Sequence, residues 1–351
     1  MRKIKSAGLT AATPRRADFV SSLGMPGGRD FFRLEVGIGC GETRALKFRF
    51  DILGLGSTAV DELVSVEHFP EPDSNLRISS RIRQCGGLTA TALMAAARMG
   101  ARCAYAGVLG EDPDSKYVLE VLDQEGIHVR HARRRSGARP VRSFIIVDQR
   151  AGTRTILYDI KGVMGASPKF PSERLIASSR VLFVDRFGMA GMLRAARIAR
   201  AAGRPVVGDF QRTDIPRLGQ LMELVDHLIV PHCFAASLTG SAHPAHAVRR
   251  LLERGHSVAV VTKGEQGCWY QTPHMKISRH IPAFQVRTVD TTGCGDVFHG
   301  AYAAALAEGR EVEDRLLFAT AAAALKATKS GNPDGIPQRA TVESFIQRHA
   351  R

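Results

Sequence analysis

The sequence predicts an α/β fold built on a mainly parallel central sheet. Three observations carry that expectation. From Arg180 to Thr262, short apolar stretches alternate with helical patterns, as in right-handed βαβ units. Near the C-terminus, the glycine-rich stretch 289–300 opens an alanine-rich helix with one carboxylate, Asp296, in its first turn. Near the N-terminus, Gly86 and Gly87 precede a second alanine-rich helix that stops at Gly100, a suitable C-terminal residue. Sheets of this kind take ligands at the carboxyl ends of their strands.

The chain has 351 residues, enough for one large α/β domain or two smaller ones. It is 44% hydrophobic and 24% charged, ordinary for a globular protein. No run approaches the roughly 18 apolar residues of a membrane span. Six cysteines (40, 85, 103, 233, 268 and 294) are scattered without a CxxC pair, which argues for reduced thiols in a cytoplasm and against zinc or a disulfide framework. The net charge of +15 raises nucleic acid, anionic membrane or anionic substrates as partners. The longest basic run, 130–142, carries no aromatic side chains between its arginines, unlike single-strand binders. It reads as a solvated surface, with no specific nucleic acid and no membrane partner.

In chain order, residues 1–49 hold ten Lys/Arg against four Asp/Glu and no periodic pattern. They read as a basic, mostly disordered extension, or as translation counted from too far upstream, with one strand near 44–50. The folded domain, 50–351, opens with a buried strand, 51–55, ending at Gly56-Ser57, and Asp61 follows. Asp61 is either a turn residue or a polar ligand. Residues 75–84 read as an exposed strand, and 141–147 with 153–159 as a hairpin. Together these make a small sheet able to cover a pocket and exclude water, from which Arg154 and Tyr158 reach a substrate or lie in solvent. Residues 104–109 read as a strand and 115–126 as a helix, with Asp112 and Asp114 as caps. Asp185 and Arg186, like Asp209 and Gln211, follow strands at their carboxyl ends. Arg186 either grips an anionic group or pairs with Asp185. Thr262, Gly264 and Gly267 suit a hairpin turn. Asp296 complements the helix dipole, or it is a general base beside an anion site made by Gly293, Cys294 and Gly295.

Asp290-Thr291-Thr292-Gly293-Cys294-Gly295-Asp296-Val297-Phe298 resembles the C-terminal signature of the ribokinase, or phosphofructokinase-B, family of sugar kinases. Gly86-Gly87 resembles its N-terminal signature, and Gly56-Ser57 with Asp61 its first motif. The resemblance covers about 50–350. It implies a three-layer α/β/α sandwich with a small β-sheet lid, dimerising through that lid. It implies Asp296 as catalytic base, Gly293, Cys294 and Gly295 as anion hole, and Asp61, Gly86, Gly87 and Thr91 at the sugar. It implies Thr262, Gly264, Gly267 and Asn332 near ATP, with Mg²⁺, and Asp290 and Thr292 near a monovalent cation such as K⁺.

Local wording is similar to that of sulfofructose kinases. Yet their sulfonate Lys aligns with Asn75 and their lid Asn with Tyr158. His232 and Ala235 stand where relatives carry an Asn-x-x-Glu pair for Mg²⁺, Ala59 and Thr91 where many carry Asn, and Cys294 where Ala is usual. The expected activity is phosphorylation of a ketose or related sugar, sulfofructose or a sugar phosphate included. Alternatives are a nucleoside kinase of the same family, or a non-catalytic sugar or nucleotide sensor on this fold.

Overall fold

The computed structural model describes residues 48–349. The expected N-terminal extension therefore lies almost wholly outside the described residues.

An eight-stranded sheet forms the centre. In spatial order its strands are Arg279–Ile281, Cys268–Gln271, Val258–Thr262, His227–Pro231, Val206–Asp209, Ser179–Val184, Phe50–Gly54 and Cys103–Tyr105. The last six are mutually parallel, and the first two are antiparallel additions at one edge. The parallel strands are apolar on both faces. Val181 and Phe183 pack on one side, while Leu182 and Val184 pack on the other. This is the period-two alternation of a strand buried between two helical layers. Helices Leu88–Arg98, Pro113–Gln124, Cys294–Ala307, Val312–Ala327 and Arg339–His349 contribute to the first layer. Helices Glu173–Ala177, Met189–Ala201, Leu218–Met222, His232–Thr239 and Pro244–Leu252 contribute to the second. The three-layer sandwich is thus present.

The lid is a four-stranded sheet, in the order Ile78–Gly86, Ala59–Val66, Val141–Asp148, Thr153–Asp159. The sequence indicated three of these strands. Ala59–Val66 was missed because most of it is buried, so it lacks the polar alternation of a half-exposed strand. Residues 104–109 form two short strands, Cys103–Tyr105 and Val108–Leu109, rather than one. Asp112 caps helix Pro113–Gln124 as expected, accepting from the amides of Asp114 and Ser115. Asp114 is no cap: its carboxylate takes Arg83 at 2.7 Å and Arg142 at 2.5 Å. The turn between Val258–Thr262 and Cys268–Gln271 is a hairpin connection containing a 3₁₀ turn at Gly264–Gln266.

Candidate functional site

Helix Cys294–Ala307 starts where Gly293 takes a left-handed conformation, φ +77°. Glycine adopts that conformation without steric cost. First-turn amides have no acceptor within a helix, and the dipole adds positive potential there. Gly293 and Gly295 stand at this helix start, where an anion cradle is expected, the Cys294 amide donates to Thr291 O at 3.3 Å, and Asp296 lies in the same turn. The helix is held closely against helix Leu88–Arg98, because a Cβ on Gly300 would collide with the Ala92 carbonyl. The two helices bearing the sequence signatures thus meet at a glycine.

The carboxyl of Asp296 is pushed well above its ordinary value of 3.8, first by burial and then by the Asp209 carboxylate. Asp209 ends a central strand and is 1% exposed. Neither of its oxygens has a hydrogen-bond partner among the described residues. Burial raises its pKa too, against the pull of His299 and Arg186. The two buried carboxylates act on one another, and like charges that are near resist joint ionisation. His299, one turn along the helix, lies with Nδ1 3.7 Å from Asp209 Oδ2. Its ring nitrogens contact the carbonyl oxygens of Gly295 (2.7 Å) and Ile229 (3.0 Å). Carbonyls only accept, so each nitrogen is placed to donate.

The lid register brings Asp61 together with three polar side chains. Asp61 lies opposite Gln84 on one neighbour and Ser143 on the other, and Ser143 lies opposite Tyr158. One row of one face therefore carries all four. Asp61 is buried, which raises its pKa against hydrogen bonds from Ser143 and Gln84. Gly86 is required beside it, since a Cβ there would strike Asp61 Oδ2. Gly87 begins helix Leu88–Arg98 at φ +96°. Thr91 is buried in that helix, its Oγ1 3.5 Å from Asn332 Nδ2. Asn332 also donates its amide to Gln84 Oε1 at 2.6 Å, and its Nδ2 lies 3.1 Å from where a Cβ on Gly293 would be. Asn332, expected near the nucleotide, packs beside Gly293 with its amide on Gln84 and its Nδ2 toward Thr91, while its buried Oδ1 has no partner among the described residues.

Arg154 donates from the lid to Thr291 in the cradle loop. Arg212 donates to Tyr158 at 3.0 Å and to Asp214. Arg186 does not pair with Asp185. Its guanidinium lies 4.3 Å from the Phe187 ring centroid, and its buried Nε has no partner among the described residues. Asp185 instead accepts from Ser57 N (2.7 Å), Ser57 Oγ (2.9 Å), Thr89 Oγ1 (3.0 Å) and Phe187 N (2.8 Å). It is a buried tie between the first strand, the Gly86-Gly87 helix and the Arg186 loop.

Thr262 ends its strand at the same sheet edge as Pro231, its partner in register. Gly267 must be glycine, because a Cβ would meet the Ile281 carbonyl. Helix His232–Thr239 brings no carboxylate: His232 Nε2 bonds Ala242 O at 2.7 Å, and Ala235 is fully buried. Of the expected monovalent-cation ligands, Thr292 Oγ1 is buried without a partner among the described residues, whereas the Asp290 carboxylate is already engaged. Asp290 Oδ1 accepts from Thr292 N at 2.8 Å, Oδ2 accepts from Gly331 N at 3.4 Å, and the Lys326 ammonium lies 3.9 Å from Oδ2. A cation held at Oδ2 would lie beside this fixed positive charge, which repels it.

Sequence reasoning assigned no role to Gln84, His299 or Lys326; it placed Asp209 and Asp185 only at the carboxyl ends of strands, with Asp185 as an alternative partner of Arg186. Asp209 and Asp185 carried a usable signal, as carboxylates at the ends of apolar strands. Lys326 carried another, a charge inside the run Ala321-Ala322-Ala323-Ala324-Leu325-Lys326-Ala327.

Residues 50–339 match the model of the pfkB family carbohydrate kinase. The ribokinase of Haemophilus influenzae is 30% identical over 305 residues, covering 84% of this chain and 97% of that one. The crystal structure of ribokinase from Thermotoga maritima superposes with a TM-score of 0.73 at 26% identity, over 85% of this chain and 99% of that one. That of Arabidopsis thaliana ribokinase, complexed with ribose and ATP, gives 0.74 at 23% identity over the same shares, a likeness of fold.

Proposed function

The chain belongs to the pfkB family of carbohydrate kinases, and on that premise we propose that it transfers the γ-phosphate of ATP to a hydroxyl of an anionic ketose or related sugar, with Asp296 as general base. The observation that carries the reading is the coincidence of an anion cradle and a carboxylate of raised pKa in one helical turn. A base whose pKa is raised holds a proton more firmly once it has taken it from a hydroxyl. The cradle amides face the charge that develops on the transferring phosphoryl group without reorganising. When bound, Mg²⁺ supplies charge neutralisation between the nucleotide's phosphates. Since helix His232–Thr239 offers no carboxylate, Asp209, with two unpartnered buried oxygens, is the residue to hold its water shell.

Asp61, Gln84, Ser143 and Thr91 provide polar groups for sugar hydroxyls. Arg154, Arg186 and Arg212 favour an acceptor that carries a phosphate or sulfonate. The partly exposed Arg186, with its unpartnered Nε, is the strongest of the three. Thr262, Gly264 and Gly267 are the proposed nucleotide-side turn.

The test is ADP release from Mg-ATP against fructose 1- and 6-phosphate, sulfofructose, ketodeoxygluconate, ribose, fructose and nucleosides, beside the Asp296→Asn variant. The expected result is turnover on one anionic sugar, reduced about 10²–10⁴-fold in the variant. Turnover on nucleosides or neutral sugars alone would remove the anionic-acceptor reading. Tight ATP or sugar binding without turnover would make the protein a sensor.

A further inference from the structure

Lys326 is the one lysine among the described residues with no exposed surface. It lies in the last turn of helix Val312–Ala327. A lysine there usually complements the helix dipole from the surface, and burial adds only cost to that role. Here the side chain is turned inward. Its Nζ donates to Lys329 O at 3.2 Å and lies 3.9 Å from Asp290 Oδ2. Its Cε is 3.2 Å from where a Cβ on Gly335 would be. The helix end is joined to the same stretch by its backbone, since the amides of Val289 and Asp290 both donate to Ala327 O, at 2.7 and 3.1 Å. One ammonium therefore bridges the residue that leads into the anion cradle and the loop 329–335, whose Asn332 packs beside Gly293.

We infer that the Lys326 ammonium stands in the place of a monovalent cation beneath the anion cradle, so that the chain carries its own fixed positive charge and works without K⁺. The Asp290 carboxylate and the Lys329 carbonyl face the ammonium as they would face a bound ion. An ammonium has close to the radius and the charge of K⁺, but its position is set by the helix that bears it. Lys326 is thus a positioning residue. It holds the 289–295 loop to the 329–335 loop and adds positive potential behind the cradle amides. The inference rests on the cradle reading of Gly293–Gly295.

The test compares KCl, RbCl, NaCl and choline chloride at constant ionic strength. Turnover of the wild-type protein on its acceptor is expected to vary less than about twofold across the four salts. Its melting temperature in KCl is expected to match that in choline chloride. Lys326→Ala is expected to lose about tenfold or more in kcat with little change in the sugar KM, and to regain part of it in KCl or methylammonium chloride. Activation of the wild type by K⁺ of about tenfold, or a K⁺-dependent rise in its melting temperature of several degrees, would overturn the inference. So would full activity of Lys326→Ala in choline chloride. If no acceptor is turned over, the kinase reading fails on its own. The melting series then decides the matter, with a K⁺ response expected in Lys326→Ala and none in the wild type. If the alanine variant does not fold, the wild-type series remains decisive.

Discussion

As the proposed base, Asp296 has to be ionised to take a proton, and its surroundings make ionisation costly. Burial and the neighbouring Asp209 both raise its pKa. Activity is therefore expected to fall as pH drops through a value above the usual carboxylate range. Asp209→Asn removes the like charge, so the acidic limb of the kcat profile should move to lower pH in that variant; a limb that stays in place would separate the two carboxylates. The same shift acts on stability. The folded-state pKa lies above the unfolded one, so the unfolded chain gives up the proton first. Stability is complete below the ordinary value of 3.8 and is lost as pH rises through the raised value. Asp296→Asn should accordingly raise the melting temperature more in mildly alkaline than in acidic buffer, the reverse of the usual loss on removing a charged residue. A thermal melt of both proteins at the two pH values checks it.

At the scale of elements, the decisive packing is between the two glycine-bearing helices. Gly300 faces backbone of helix Leu88–Arg98, which cannot swing aside as a side chain can. Gly300→Val is expected to destabilise the fold by about 1–3 kcal/mol or more. Because helix Cys294–Ala307 also presents the cradle, kcat should fall in the fraction that remains folded. Urea unfolding with single-turnover kinetics measures both, and an unchanged midpoint would mean that the helices can separate at no cost. The elements themselves were largely legible beforehand. Parallel strands announce themselves as short apolar runs between helical patterns, and the glycines announce tight approaches. The lid strand Ala59–Val66 was not legible, because a buried strand without alternation looks like any apolar run. Asp61 was placed on a motif, but its row with Gln84, Ser143 and Tyr158 exists only once strand register is known.

At the scale of the whole molecule, the lid presents apolar side chains to solvent, including Phe144 (43%) and Leu157 (55%), cross-strand partners in register on the face opposite Asp61. Contiguous exposed apolar surface of this kind is usually covered. We expect a second copy of the chain to cover it, giving a homodimer through the lid. Leu157→Asp should then shift the sedimentation coefficient from dimer to monomer, and a monomeric wild type would refute the pairing. Among the described residues no helix is long and apolar enough to cross a membrane.

The sequence by itself determined the fold class and the family and marked out the Asp296 turn, since these reside in contiguous residues. A glycine-rich turn, an apolar strand or a first-turn carboxylate is defined by neighbours along the chain. Tertiary structure alone decided which distant groups meet. It placed Asp209 against Asp296, turned Asp185 away from Arg186 toward Ser57 and Thr89, tied Asn332 to Gln84, and set Lys326 against Asp290. Each of those outcomes depends on strand register or helix packing between residues remote in sequence. The energy of a buried charge depends on what surrounds it in space, and no local pattern records that.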